Sequence, residues 1–250
     1  MVDNRYATAL VIGSVLSLLA AVYLSVAVGT QNWYQYSSPA GVHESTNATA
    51  LRDDLINGEF NEKTSSETLY LLNGTLGLWW RCILVPSPSH WFKEPDPKLE
   101  SQCVSFTLPQ QFLPKYKNPG NHNSEEYLLR TYLWRCQFLL PLVSLALVFL
   151  SSLVGVCACL CRSFKPTVVV GVMHLLAALC SLGCVCCFRA GVDLLHKYAV
   201  PPKEVESSMG WSLYLALISF PLQMMAAALF LWAACSHRKN YTRMVAYRVA

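Results

Sequence analysis

Four long stretches without a charged residue decide what this 250-residue chain can fold into. Each stretch is mainly apolar and exceeds the roughly 18–20 residues that a helix needs to cross about 30 Å of hydrocarbon. The stretches run from about Tyr6 to Val28, Cys136 to Cys161, Pro166 to Phe188 and Ser207 to Ser236. Charged residues make up only 14% of the chain, where a soluble domain usually has about 25%. The sequence therefore predicts a membrane protein with four spans, and it excludes a soluble globular enzyme and a disordered chain.

The first stretch has one alternative interpretation, a cleaved signal peptide. Small residues at Ala27 and Gly29 could form a cleavage site, but the apolar run of 22 residues is longer than the usual core of about 7–15. Small side chains also recur every four residues, which predicts one face for close packing against another helix in lipid. That face consists of Gly13, Ser17, Ala21, Ser25 and Gly29. We therefore expect the first span to be retained.

The basic residues predict the orientation in the membrane. The predicted loops cover residues 29–135, 162–165 and 189–206, and a tail covers 237–250. The two ends and the four-residue turn hold seven basic residues, and the short second loop holds three. Those seven are Arg5, Arg162, Lys165, Arg238, Lys239, Arg243 and Arg248. Because basic residues near spans favour the cytoplasmic side, both termini should be cytoplasmic. The net charge of +4 then reflects orientation and contact with anionic lipid, not nucleic-acid binding.

The composition of the long first loop agrees with an extracellular position. It contains two glycosylation sequons, at Asn47 and Asn73. It also contains only two of the eleven cysteines, Cys82 and Cys103. In an oxidising compartment this pair predicts one disulfide worth roughly 3 kcal/mol. In the inverted topology the pair would need another role such as zinc binding, and neither cysteine belongs to a CxxC motif or has a His-x3-His partner in the loop.

The same loop shows strand-like patterns after a polar beginning. Residues 39–66 are polar and weakly patterned, which predicts a mobile, glycosylated excursion. The apolar runs 69–72 and 75–85 flank Asn73-Gly74 and predict a β-hairpin, and 103–108 alternates like a further strand. Leucine and aromatic residues in 125–135 predict that the second helix begins before its apolar stretch. We expect a small antiparallel sheet in this loop.

The order of four signals in the first loop resembles the claudin signature. Trp33 comes first, followed by Gly77-Leu78-Trp79, then Cys82 and then Cys103. The long first loop, the short turn, the shorter second loop and the basic tail extend the resemblance over the whole chain. It implies a claudin-like fold of the all-α transmembrane class, an antiparallel four-helix bundle with a small antiparallel β-sheet in the first extracellular loop.

Three departures from the claudin pattern stand out. Trp33 and Gly77 are 44 residues apart and the two cysteines are 21 apart, and both separations are longer than in claudins. Both strand connections therefore contain insertions, which could cap the surfaces that claudins use to polymerise. The chain ends in Arg248-Val-Ala, where claudin tails end in a Tyr-Val that binds PDZ domains. Docking to a scaffold by that route is not expected.

Several side chains have a structural interpretation that we prefer to a functional one. We expect Trp33 and Trp79 to pack the sheet and to anchor at the membrane interface, instead of forming an adhesive surface. We expect Arg81 to pair with an acidic residue of its own loop or with lipid phosphate, instead of facing a pore. His174 is a functional candidate because it lies inside a span, yet a neutral imidazole bonded to a neighbouring helix is the expected state.

The cysteines near the predicted cytoplasmic ends of the spans are candidates for palmitoylation. They are Cys157, Cys159, Cys161 and Cys235. Asp193, His196 and Lys197 lie close together after the third span, but no nucleophile or oxyanion donor accompanies them. We expect no catalytic residue, no metal ion and no cofactor.

The leading functional hypothesis is a claudin-like plasma-membrane protein at cell contacts or the apical membrane. It would contribute to cell–cell junctions and to epithelial or endothelial barrier permeability. Its expected partners are the lipid bilayer and either itself or other claudin-like proteins, with no nucleic acid. The alternatives are an accessory subunit of a channel or receptor, and an organiser of membranes or trafficking.

Overall fold

The structure is a computed structural model that describes residues 4–39, 48–57, 61–86, 99–118, 121–123, 125–161 and 164–249. These residues form seven helices and five strands. The helices are α1 (Asn4–Gly29), α2 (Ala48–Asn57), α3 (Glu62–Leu71), α4 (Leu108–Gln111), α5 (Leu128–Cys161), α6 (Phe164–Tyr198) and α7 (Trp211–Val249). The strands are β1 (Tyr34–Ser37), β2 (Thr75–Leu76), β3 (Trp80–Pro86), β4 (Leu99–Ser105) and β5 (Glu206–Met209).

Four helices, α1, α5, α6 and α7, are long and apolar enough to cross a membrane, which confirms the prediction of four spans. Their candidate spans are Arg5–Gly29, Leu128–Cys157, Lys165–Tyr198 and Trp211–Ser236. Helix α5 begins at Leu128, so the prediction of an early start is also confirmed. Helix α7 begins at Trp211, after β5, although the fourth apolar stretch already begins at Ser207.

The chain divides into two compact units. The helical unit consists of Met1–Val26, Leu139–Val185 and Leu215–Ala250. The sheet unit consists of Ala27–Phe138 and Cys186–Tyr214. Each unit is described by itself below.

Hydrogen bonds between helices hold the helical unit together. Ser144 on α5 donates to the carbonyl oxygen of Ala177 on α6, at 2.8 Å, and Gln223 on α7 lies 3.4 Å from the same hydroxyl. His174 on α6 lies 2.6 Å from the hydroxyl of Ser17 on α1. All three polar groups are buried or partly buried, and each is bonded across a helix interface. His174 therefore has the interhelical bond that the sequence predicted.

The small-residue stripe of α1 serves as a packing face for only part of its length. Gly13 lies against the ring of Phe230, and Ser17 contacts His174, but Ser25 and Gly29 are exposed. A four-residue repeat advances by about 40° per step around a helix of 3.6 residues per turn, so it drifts off any straight interface. Within the described chain the stripe therefore packs against other helices only as far as Ser17, and packing of its exposed positions against a helix of another protein stays a prediction.

The sheet unit contains one five-stranded antiparallel sheet in the order β4-β3-β2-β1-β5. Four strands come from the first loop, which confirms the predicted small sheet. The fifth strand, β5, comes from the second loop and pairs with β1, with Gln35 opposite Ser208. The sequence analysis did not predict this strand, because Glu206–Met209 has no apolar alternation.

Two predictions about the first loop are wrong. The segment 39–66, expected to be weakly patterned and mobile, contains α2 and the first half of α3, although residues 40–47 and 58–60 lie outside the described residues. The predicted strand 69–72 is the end of α3, and Asn73 follows that helix with a positive φ of 48°. An asparagine in this left-handed conformation is a common helix terminator, so Asn73-Gly74 joins a helix to a strand.

The glycines of the helical unit give a testable prediction. A Cβ atom at Gly171 would lie 2.7 Å from Cγ of Leu231 on α7, whereas one at Gly155 would lie 3.9 Å from Val170. We expect Gly171→Ala to lower the free energy of unfolding by about 1–3 kcal/mol, because α6 and α7 must separate. Gly155→Ala is the matched control and should be neutral or slightly stabilising. Thermal unfolding of the purified protein in detergent measures both, and equal melting temperatures would contradict the close packing.

Candidate functional site

Trp33 contacts several elements of the sheet unit. Its side chain is fully buried, and its indole N–H donates to the carbonyl oxygen of Ala27 at the end of α1, at 2.7 Å. Its ring lies 5.0 Å from the ring of Phe188 on α6. Its main chain bonds to Leu76 of β2 and to Gly210 after β5. The packing role expected for Trp33 is confirmed, because a fully buried ring cannot form an adhesive surface.

The Gly77-Leu78-Trp79 motif forms the turn between β2 and β3. The predicted single strand 75–85 is therefore wrong, since the chain reverses at Gly77, whose N–H donates to the carbonyl of Trp80 at 2.8 Å. A Cβ atom at Gly77 would lie 2.9 Å from Cα of Gln31, so only glycine fits here without a shift. Leu78 is buried, and Trp79 packs edge-on against Phe138 at 4.4 Å.

The structure contains the predicted Cys82–Cys103 disulfide. The two cysteines lie directly opposite each other in β3 and β4. Cys82 is buried and Cys103 is exposed. The disulfide therefore joins an interior strand of the sheet to its edge strand, β4.

A buried ionic cluster joins helix α3 to the rest of the sheet unit. Glu62, the first residue of α3, lies 2.5 Å from the guanidinium of Arg130 on α5 and 3.4 Å from the ammonium of Lys115. The side chains of Arg130 and Lys115 are only 5% and 4% exposed. We call Glu62, Lys115, Arg130 and the nearby Arg81 the ionic cluster. Sequence reasoning missed Glu62, Lys115 and Arg130.

Each cation of the ionic cluster also lies over an aromatic ring. Cζ of Arg81 is 4.5 Å from the ring centre of Phe106, Nζ of Lys115 is 4.2 Å from that of Trp134, and Cζ of Arg130 is 4.2 Å from that of Tyr198. A desolvated cation over an aromatic face is stabilised by the ring quadrupole. These rings therefore help to keep three positive charges inside the fold.

The pKa values of Glu62 and Arg81 are both lowered, but for different physical reasons. Burial raises the pKa of the Glu62 carboxyl, but Lys115, Arg130 and Arg81 outweigh burial and hold that pKa below 4.5. Burial lowers the pKa of Arg81 to about 10, so the guanidinium keeps its charge at neutral pH. The nearby Glu62 carboxylate counteracts this effect of burial and raises the pKa of Arg81, but the predicted pairing of Arg81 with an acidic residue of its loop or with lipid phosphate stays a prediction.

Asp193 and His196, for which the sequence predicted no catalytic role, each have a further partner in the sheet unit. Asp193 pairs with Arg189 at 3.5 Å, and His196 lies 3.0 Å from the hydroxyl of Tyr36. His196 belongs to an aromatic cluster with Tyr34, Tyr36 and Tyr70. Burial raises the pKa of Tyr70 to about 12, and its hydroxyl donates to the carbonyl oxygen of Ala199 at 2.9 Å. These contacts are structural.

The modification candidates differ in how far the structure describes them. Asn47 lies outside the described residues, and the side chains of Cys159 and Cys161 also do. Asn73 is half-buried, and its side-chain oxygen accepts a hydrogen bond from the backbone N–H of Ser38. Cys157 and Cys235 are free and exposed, so both thiols are accessible to modification.

Three exposed apolar residues lie on α4 and directly after it. They are Leu108, Phe112 and Leu113, which are 60%, 41% and 45% exposed. The guanidinium of Arg135 on α5 donates to the carbonyl oxygen of Phe112 at 2.9 Å, which fixes this segment beside that helix. We call these three residues the apolar patch. Clustered exposed apolar residues mark surfaces that contact a protein or a membrane.

The ionic cluster predicts a large loss of stability when its carboxylate is removed. Glu62→Gln leaves the buried cations without their counter-charge, and we expect the free energy of unfolding to fall by about 3–5 kcal/mol. Glu67→Gln, also on α3, removes only the exposed pair with Lys63 and should change it by less than about 1 kcal/mol. Thermal unfolding in detergent compares the two, and an equally small effect of both would contradict the cluster.

The same carboxylate predicts a pH dependence of stability. Because the pKa of Glu62 is lower in the folded chain than its ordinary value of 4.5, its contribution is present above pH 4.5 and disappears as the pH falls through the folded value. We therefore expect the difference in melting temperature between the wild type and Glu62→Gln to shrink on acidification. A constant difference from pH 7 to pH 3 would contradict this assignment.

The comparison with protein families matches the chain over residues 18–232 to the family described as PMP-22/EMP/MP20/Claudin tight junction. The match covers the whole of α5 and α6, the second part of α1, the first part of α7 and the whole sheet with Trp33, the Gly77-Leu78-Trp79 turn and the disulfide. Members of this family are structural membrane proteins that reside in a lipid bilayer. This chain belongs to the PMP-22/EMP/MP20/Claudin family of four-span membrane proteins.

Proposed function

We propose that this protein acts at contacts between cells, where it contributes to the permeability barrier of epithelia or endothelia. In this proposal the protein lies in the plasma membrane, both termini are cytoplasmic and the sheet unit is extracellular. Basic residues at the ends of the chain support this orientation. A disulfide and the sequons at Asn47 and Asn73 in the first loop support it independently.

The observation that carries the proposal is the apolar patch on a cross-linked sheet unit. The disulfide, the ionic cluster and Trp33 connect the described strands and helices of this unit, which lowers the ordering cost of a contact at its surface. A preorganised apolar surface beside a membrane helix is suited to lateral contact with another four-span protein. The exposed small residue Ser25 on α1 offers a second place for close helix contact in lipid.

One observation favours a second candidate, an accessory subunit of a channel or receptor. Helix α2 packs against β3, and Nε of Arg52 donates to the side-chain oxygen of Gln102 on β4 at 2.6 Å, so the helix covers part of the sheet surface. If polymerisation of family members needs that surface, the protein would instead contact a different membrane partner.

The test is expression in fibroblasts that have no claudins, followed by freeze-fracture of the cell contacts and measurement of electrical resistance in an epithelial layer. The barrier proposal predicts accumulation at contacts and a changed resistance. Accumulation at contacts is the outcome specific to the barrier proposal. An accessory subunit should instead purify with one dominant multi-span partner. Absence from contacts together with unchanged resistance would overturn the barrier proposal.

The apolar patch gives a variant for the same assay. We expect Leu108→Ser combined with Phe112→Ser and Leu113→Ser to reduce accumulation at contacts severalfold while the protein still reaches the cell surface, because the contact loses its apolar area. Lys117→Ser, an exposed change nearby, is the control and should have no effect. Unchanged accumulation of the triple variant would show that the patch is not the contact surface.

A further inference from the structure

Two cysteines of the sheet unit are in contact although they lie on different helices. The thiol of Cys187 on α6 is hydrogen-bonded with that of Cys136 on α5. Both are free thiols in the structure, and both are partly buried. The contact joins the start of α5, which follows the first loop, to the part of α6 that leads into the second loop. We call Cys136 and Cys187 the thiol pair.

Small residues of α6 allow the two helices to come close around the thiol pair. Gly183, Cys187 and Gly191 recur every four residues and therefore share one face of α6. Within the sheet unit, a Cβ atom at Gly191 would lie 3.1 Å from Oε1 of Gln137 on α5. Within the helical unit, a Cβ atom at Gly183 would lie 3.1 Å from Cδ1 of Leu140 on α5. Side chains of α5 thus reach the backbone of α6 one turn before and one turn after Cys187.

This close packing suits a disulfide between α5 and α6. The Cα atoms of a disulfide lie about 4.4–6.8 Å apart, and the two sulfur atoms must be turned towards each other. Helices that pack through glycines approach each other closely enough for such a separation. The hydrogen bond between the thiols of Cys136 and Cys187 already turns the sulfur atoms towards each other. The bond can therefore close through rotation of the two side chains.

The thiol pair lies at the outer boundary of the spans in the proposed orientation. Cys136 directly follows Arg135, the last charged residue before the second apolar stretch. Cys187 precedes Arg189, the first charged residue after the third apolar stretch, by two positions. Arg189 is exposed and pairs with Asp193, so this level of α6 lies outside the hydrocarbon. The thiols are therefore next to the oxidising compartment in which disulfides form.

We propose that Cys136 and Cys187 form a second disulfide, which joins α5 to α6 in the protein at the cell surface. The oxidant is the disulfide of a thiol oxidoreductase of the secretory pathway. One cysteine thiolate attacks that disulfide and forms a mixed disulfide, while the other sulfur of the oxidoreductase leaves as a thiolate. The second cysteine thiolate then attacks Sγ of the first, which forms the new bond and releases the oxidoreductase as a dithiol. The two protons lost by the cysteines pass to the oxidoreductase.

The second disulfide connects the helix turns that support both tryptophans of the family motif. Phe138, two residues after Cys136, packs on Trp79. Phe188, directly after the other cysteine, packs on Trp33. A covalent bond at the thiol pair therefore fixes both phenylalanines beneath the sheet. The inference rests on the proposed orientation but not on the barrier function.

The experiment counts the disulfide-bonded cysteines of the full chain at the cell surface. The surface protein is isolated in denaturant, its free thiols are blocked with N-ethylmaleimide, and its disulfides are reduced with a phosphine. Each released thiol is then labelled with a maleimide polymer and counted as a step in gel mobility. We expect four labels, two at Cys82 and Cys103 and two at Cys136 and Cys187. Two labels would overturn the second disulfide and leave the orientation intact, and no label would reject both.

Single variants identify the partners of the bond. Cys136→Ser and Cys187→Ser should each lower the number of labels from four to two, because the remaining cysteine becomes a free thiol that is blocked. Cys186→Ser removes the adjacent exposed thiol and is the matched control, so it should keep four labels. Three or four labels in Cys136→Ser, or fewer than four in Cys186→Ser, would contradict the pairing of Cys136 with Cys187. A disulfide-linked dimer that disappears in Cys187→Ser would contradict a bond within one chain.

A measurement on the wild type does not depend on the folding of a variant. Digestion of the blocked, unreduced protein should give a peptide pair that is linked between Cys136 and Cys187, detected by mass spectrometry. Its absence from a digest that contains the linked Cys82–Cys103 pair would overturn the proposal. None of these readouts depends on cell contacts or electrical resistance. A failed barrier assay with four labels would reject the barrier function alone, and two labels with a working barrier would reject the second disulfide alone.

Discussion

The sheet unit depends on the burial of one indole ring. Trp33 follows the end of α1, and its N–H donates to the last turn of that helix through the carbonyl oxygen of Ala27. Its backbone N–H and carbonyl bond on one side to Leu76 and on the other to Gly210, so the first and second loops meet at this residue. Because the ring also packs on Phe188, the start of β1 is fixed against α6. The glycine of the Gly77-Leu78-Trp79 turn allows the chain to pass close to this point.

The long connection between β1 and β2 is held by charge as well as by apolar packing. Leu69 and Tyr70 near the end of α3 are fully buried, and Glu62 at its polar start is buried among three cations. A lone buried carboxylate would be unfavourable, and so would the buried Lys115 and Arg130. Together they compensate each other, and the aromatic faces support the excess of positive charge. The cluster therefore explains how the polar start of α3 can be buried in a compact unit.

The spans could be predicted because a charge-free run of this length has no stable alternative in water. The disulfide could be predicted because the first loop holds only two cysteines. Helix α3 was missed, although Asn61 as N-cap and Glu62 in the first turn are its local signals, because its stabilising partners lie far along the chain. Strand β5 was missed because Glu206–Met209 becomes a strand only through the backbone groups that the edge of β1 offers. Both failures come from tertiary contacts that local patterns do not contain.

The most direct test of the account asks whether the two loops form one sheet around Trp33. Gln35 and Ser208 are partners across β1 and β5, and their side chains are 3.1 Å apart. We predict that Gln35→Cys with Ser208→Cys forms a disulfide at the cell surface, detected as a linked peptide by mass spectrometry. Gln35→Cys with Glu206→Cys, two residues out of register, should remain unlinked. A link in the second pair, or in neither, would contradict a common sheet.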